Sequence, residues 1–195
     1  MKLFIIALTF LISLTVNNFA QAVPFTRTQM DTIFVDVEQI KSDNTFDFNV
    51  DSFKEAFNAR ITPILQNITG TDDISAMEHL FFIYDYKVFE KPDGDLFANI
   101  FPDSRIALVG MLEPNGGNFK NLNLYYTTPE EKDESLFTVW LLTAFIQTLT
   151  PDVIPQALMT ELTAENSLGE SVKDGVKYKI SSQGNLNVLT ATIAQ

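Results

Sequence analysis

Between Asp31 and Ile40 the chain reads "DTIFVDVEQI", in which Ile33, Val35 and Val37 alternate with Phe34, Asp36 and Glu38. A period of two predicts a strand with one buried face. "SDNT" at 42–45 breaks the pattern, and the spacing then changes. Phe53, Ala56, Phe57, Arg60 and Ile61 recur at helical intervals, which predicts an amphipathic helix opening at Asn49. Asn is a good N-cap because its side chain accepts from the free amides of the first turn. Phe48 before the cap and Phe53 within the helix have the spacing of a hydrophobic staple. Asp51 sits where the helix dipole favours an acid, and Pro63 is expected to disrupt the last turn.

"HLFFIYDYKVFEKPDGDLFANIF" (79–101) predicts strand, turn and strand, with Lys91-Pro92-Asp93-Gly94-Asp95 as the turn. On the first of these strands one face would carry Phe82, Tyr84, Tyr86 and Val88, and the other Phe81, Ile83, Asp85 and Lys87. Residues 104–128 predict a second hairpin around Pro114-Asn115-Gly116-Gly117, because Asn-Gly between alternating strands is a strong hairpin signal. Residues 175–194 predict a third, with Gln183-Gly184-Asn185 at its tip. "NITGTDDISA" (67–76) reads as a flexible loop.

Between the last two hairpins, ten of the fourteen residues from Leu136 to Leu149 are apolar. As a helix this stretch spans about 21 Å, against a hydrocarbon core of about 30 Å, so it is too short to cross a membrane. Thr138, Thr143, Gln147 and Thr148 do not gather on one face, and a helix apolar nearly all round is buried on most sides. Acidic residues precede it and Pro151 ends it. The expected fold is α+β and two-layer: a mainly antiparallel sheet of hairpins with two main helices packed on one face.

The first 22 residues stand apart from this pattern. "MKLFIIALTFLISLTVNNFAQA" has a basic start at Lys2, an apolar run of about 14 residues, and Ala20-Gln21-Ala22 as a small-x-small cleavage motif. It reads as a signal peptide cleaved after Ala22, leaving a single domain over 23–195 exported to a periplasmic or extracellular space. Lys2 is the only charged residue removed, so the net charge moves from −12 to −13. That balance disfavours nucleic acid and anionic membranes and suits a basic protein partner. There is no cysteine, which removes disulfides, thiol catalysis and cysteine-based zinc sites.

Candidate chemistry is sparse. His79 is the only histidine, so any histidine-dependent triad would have to use it, and its expected place is a strand end. Acids cluster at Asp72, Asp73, Glu78 and Asp85, and again at Glu130, Glu131, Asp133 and Glu134. The second cluster fits helix-start chemistry, with Asp133 or Ser135 as cap. Asp93-Gly94-Asp95 lacks the rest of a calcium loop, and no glycine-rich phosphate loop occurs, so neither metal nor cofactor is implied. Aromatic content is the less ordinary feature. Tyr84, Tyr86, Tyr125 and Tyr126, with Asp85, form the candidate binding surface, because exposed tyrosines make good contact surfaces. The expectation is an exported, non-catalytic binding protein, an inhibitor or immunity-type partner for a basic protein. Two alternatives are a carrier of an apolar small molecule in a Phe-lined cavity and a carboxylate-dependent glycan hydrolase.

Overall fold

The structure, a computed structural model, describes residues 25–102, 105–128, 132–165 and 167–194. The leader at 1–22 lies outside them. Helix α1 (Arg27–Gln39) is followed by α2 (Val50–Thr69), α3 (Ser75–Phe81), and strands β1 (Lys87–Phe89), β2 (Leu96–Ile100), β3 (Ile106–Leu112) and β4 (Phe119–Thr127). Then come α4 (Lys132–Leu149), α5 (Pro155–Thr163), and strands β5 (Glu170–Lys173), β6 (Val176–Gln183) and β7 (Leu186–Ile193). The seven strands form one sheet in the order β1-β2-β3-β4-β7-β6-β5, antiparallel at every pairing. This is the expected α+β architecture, with α2 and α4 packed together on one face.

Residue 31–40 is the first departure: it is helix, not strand. Met30, Ile33, Phe34 and Val37 lie at helical spacing, and Ile33 and Val37 are fully buried. Val35, which the two-residue period assigned to the same face, points outward and is half exposed. A capping box decides the start. Thr26 Oγ1 accepts from Gln29 N–H at 3.2 Å, and Gln29 Oε1 accepts from Thr26 N–H at 2.9 Å. The β-branched content that suggested a strand is a weak preference, overridden once a helical face can be buried. This helix lies on the sheet face opposite α2 and α4, over β3 and β4.

Residues 82–86 are the second departure. The helix α3 runs through His79 to Phe81, and the only strand that follows is the three-residue β1. Asn58 on α2 holds the segment in between. Its Oδ1 accepts from Ile83 N–H at 2.9 Å, and its Nδ2 donates to Ile83 O at 3.4 Å. Both backbone groups that a neighbouring strand would use are thus taken by a helix side chain. Pro63 does not end α2 either: the helix continues to Thr69, carrying Leu65 into the core and closing on Gly70 in the left-handed conformation. The expected loop at 67–76 shortens to a turn in which Asp73 Oδ1 accepts from Ser75 N–H and Oγ. Ser135 lies inside α4 rather than before it, and the side chains of Glu130, Glu131, Asp133 and Glu134 lie outside the described residues.

The larger core lies between the sheet and α2, α3 and α4, and phenylalanine fills it. Asn49 caps α2 as expected, and Phe48 meets Phe53 edge-on at 6.1 Å. Phe53 also touches Phe57 and Phe119, Phe119 touches Phe97, and Phe81 stacks on Phe137 at 4.6 Å with Trp140 beside both. Each fully buried ring contributes about 1.5–3 kcal/mol by leaving water. The stretch 136–149 is the central core helix; Phe145, Leu141 and Ile146 are fully buried, and Val139 is exposed. Replacing Asn58 by Ala leaves the Ile83 amide and carbonyl unpartnered. We expect a loss of about 1–3 kcal/mol in urea unfolding, with hydrogen exchange accelerating at Ile83 before it does in β3 or β4.

Candidate functional site

The five residues singled out by sequence do not form one surface. Tyr125 and Tyr126 are neighbours on β4, so their side chains point to opposite faces. Tyr126 is buried under α4 in the larger core, and Tyr125 is buried on the α1 face. Tyr86 is half-buried against Phe97, with Lys54 Nζ 5.7 Å from its ring centroid. Tyr84 and Asp85 are exposed in the segment pinned by Asn58. The Tyr84 hydroxyl donates to Glu78 Oε2 at 2.9 Å, and partial burial followed by the Glu78 carboxylate holds this phenol above its usual pKa. Of the first acidic cluster, Asp73 is occupied with Ser75 and Glu78 with Tyr84. Among the described residues no group of three or more His, Asp or Glu side chains is placed to hold a metal ion, and no helix is long and apolar enough to cross a membrane.

The α1 face of the sheet holds what the sequence did not reveal. Strand β4 places Asn121, Asn123 and Tyr125 there in sequence, and all three are buried. Asn121 Oδ1 accepts from Met111 N–H at 3.3 Å and from Asn123 Nδ2 at 2.7 Å. Asn121 Nδ2 donates to Ile40 O at 3.1 Å, which ties the end of α1 to the sheet. Asn123 Nδ2 also reaches Val109 O, but among the described residues Asn123 Oδ1 has no partner, and neither does the Tyr125 hydroxyl. Each unmatched polar atom in such a setting costs about 1–3 kcal/mol. Burial first, and the Asp36 carboxylate second, push the Tyr125 phenol well above its ordinary pKa, so it keeps its proton.

Beside this column lies an open groove of about 750 Å3. Its helix wall is the end of α1, with Asp36, Gln39 and Ile40; its floor is Tyr125, Val188 and Thr190; its far wall is Lys177, Lys179 and Glu170. The groove exists because α1 lies chiefly over β3 and β4, its apolar cluster reaching only Leu186 and Val188 on β7, so that the same face of β6, β5 and the rest of β7 is open. Glu170 bridges Lys177 at 2.7 Å and Lys179 at 3.4 Å, and these bonds hold its carboxyl below the usual range, Lys177 foremost. A smaller groove of about 390 Å3 adjoins it across Ile40-Lys41-Ser42, lined further by Lys91, Lys120 and Asp93. Five lysines and five acids line the two grooves together, so the chain's whole acidic excess lies elsewhere. Both grooves lie on the face away from the phenylalanine core.

Tyr178 provides an internal comparison for Tyr125. It is equally buried but shares a 2.8 Å hydrogen bond with Thr150 Oγ1. Its pKa is pushed up to about 12 by burial, eased by Thr150 and raised by Asp174. Tyr178→Phe is expected to cost about 0.5–1.5 kcal/mol because the bond to Thr150 Oγ1 is lost, although that hydroxyl keeps its bond to the Ile146 carbonyl, whereas Tyr125→Phe is neutral or stabilising because it removes an unmatched hydroxyl. Urea midpoints of the two variants check this. Relative to its ionised form, each neutral phenol favours the fold fully below the unfolded phenol pKa of about 10. That contribution is then lost as pH rises, through about 12 for Tyr178, at about 1.4 kcal/mol per pH unit per tyrosine. The loss should be absent from the double phenylalanine variant. No family model matches the chain, and neither curated proteins nor solved structures give a match, so the groove has to be understood from its own geometry.

Proposed function

We propose that this protein is an exported, non-catalytic binding protein whose ligand seats in the groove between α1 and β7-β6-β5. One observation carries this reading: a groove of ligand size runs along α1, with Tyr125, Val188 and Thr190 as its floor and charged side chains on both sides. Ligand sites commonly measure about 300–1,000 Å3 and are fixed by a few convergent polar groups. Export rests on the leader, with its basic start, short apolar run and Ala20-Gln21-Ala22.

The segregation of charge supports a second surface for a second kind of partner. The acidic excess lies off the grooves, so a basic protein would engage the outer surface and leave the groove free, in keeping with an inhibitor or immunity-type role.

The groove reading is tested by amide chemical shifts of the full mature chain against a library of small sugars, organic acids, amino acids and short peptides. Hits should move Lys179, Val188 and Thr190, and Ser181→Trp, which fills the groove, should abolish them. A library that moves no groove amide, or hits that survive the substitution, overturns it.

A further inference from the structure

The ion pairing on the groove's two walls is unequal, and that inequality points to a chemistry. Lys177 and Lys179 share the single carboxylate of Glu170, which leaves the strand wall with one positive charge in excess. On the helix wall Asp36 has no ion pair among the described residues. Asp36 on α1 thus faces a strand wall with a lysine to spare, while Lys41 lies past the end of the helix. Such a field favours a ligand that is itself dipolar over a simple anion or a simple cation.

The register of the sheet sets the distance. Asn123 on β4 pairs with Thr190 on β7, which pairs with Lys179 on β6, which pairs with Glu170 on β5. One step along, Tyr125 pairs with Val188, which pairs with Ser181. Two strand spacings thus separate the tyrosine column from the lysine column, about 9.5 Å. An α-amino acid is too short to span that width with its two charges. Two or three extended residues at roughly 3.3–3.6 Å each are not. Between the walls Val188 gives the side chains of such a ligand aliphatic surface, and Val172 on β5 continues it beyond the lysines.

Resting on the groove-binding reading above, we propose that the ligand is a free short peptide, a di- or tripeptide zwitterion. Its α-ammonium meets Asp36 and its carboxylate meets Lys179, the more loosely held of the two lysines. Tyr125, buried on the groove floor beneath the field of Asp36, lies under the amino-terminal end of the ligand. Lys41, which also has no ion pair among the described residues, stands where the two grooves meet, and among the described residues Asp36 is the one acid of the larger groove without an ion pair.

The test uses the full mature chain and trialanine as the probe, with N-acetyl-trialanine and trialanine amide beside it. Trialanine should shift the amides of Lys179, Val188 and Thr190. Acetylation and Asp36→Asn should each weaken it by about tenfold or more, as the loss of a charged hydrogen bond does. The acetylated peptide should then be indifferent to Asp36→Asn, and the amide likewise to Lys179→Gln, because each pair removes two halves of one contact. Melting temperatures of both variants guard against a trivial loss of fold. Blocked peptides binding as well as free trialanine would overturn the proposal. So would library compounds that move the groove amides when trialanine does not, and in that case the groove-binding reading stands. A groove that answers to no compound at all fails both.

Discussion

Strand β4 is the element on which everything else depends, because it lies at the centre of the sheet and its alternation sets the character of both faces. Leu122, Leu124 and Tyr126 go into the phenylalanine core, and Asn121, Asn123 and Tyr125 go under α1. A slip of one residue would exchange these sets, placing three polar side chains among the rings. The bulge between Met111 and Leu112 fixes the register against β3, and it does so next to Phe119. The Phe119 ring can lie against Gly110, two residues before its own partner Leu112, because Gly110 has no side chain: a Cβ there would collide with the Asn121 carbonyl and the Phe119 ring. The aromatic chain from Phe48 to Phe97 passes through this one ring.

Much of the fold was legible because its strongest signals are local. Asn49 with Phe48 and Phe53 announces α2, Asn115-Gly116 announces the turn between β3 and β4, and the unbroken apolar run announces α4. The two misread segments failed for tertiary reasons. Residues 30–37 satisfy both a two-residue and a helical period, and only the presence of a sheet face at β3 and β4 selects the helix. Residues 82–86 alternate well enough for a strand, but the side chain that denies them one, Asn58, is 25 residues away.

The site was less legible for a related reason. Sequence reasoning found Tyr125 by its aromatic character and grouped it with Tyr126, although adjacent residues in a strand cannot share a face. The more useful signal was the spacing of Asn121, Asn123 and Tyr125, a polar set at i, i+2 and i+4 inside a strand otherwise rich in leucine. Such a set on a central strand means that its face is either solvated or covered by something able to satisfy it. Here α1 satisfies Asn121 through the Ile40 carbonyl and leaves Asn123 Oδ1 and the Tyr125 hydroxyl unmatched.

That incomplete cover follows from length. Thirteen residues of helix extend about 20 Å, and six strand spacings extend about 29 Å, so one short helix cannot roof the whole sheet. The uncovered strands are correspondingly polar: Lys177, Lys179 and Ser181 on β6 and Thr190 and Thr192 on β7 face outward where Val109 and Ala107 on β3 face α1. Lysines near a sheet edge also discourage pairing with a second copy. The groove is the seam between these two regimes, and a seam of this kind offers an aliphatic floor and charged walls within one ligand's length. An apolar roof over β7, β6 and β5 would have stabilised the fold further, but it would have closed the groove that now runs beside α1.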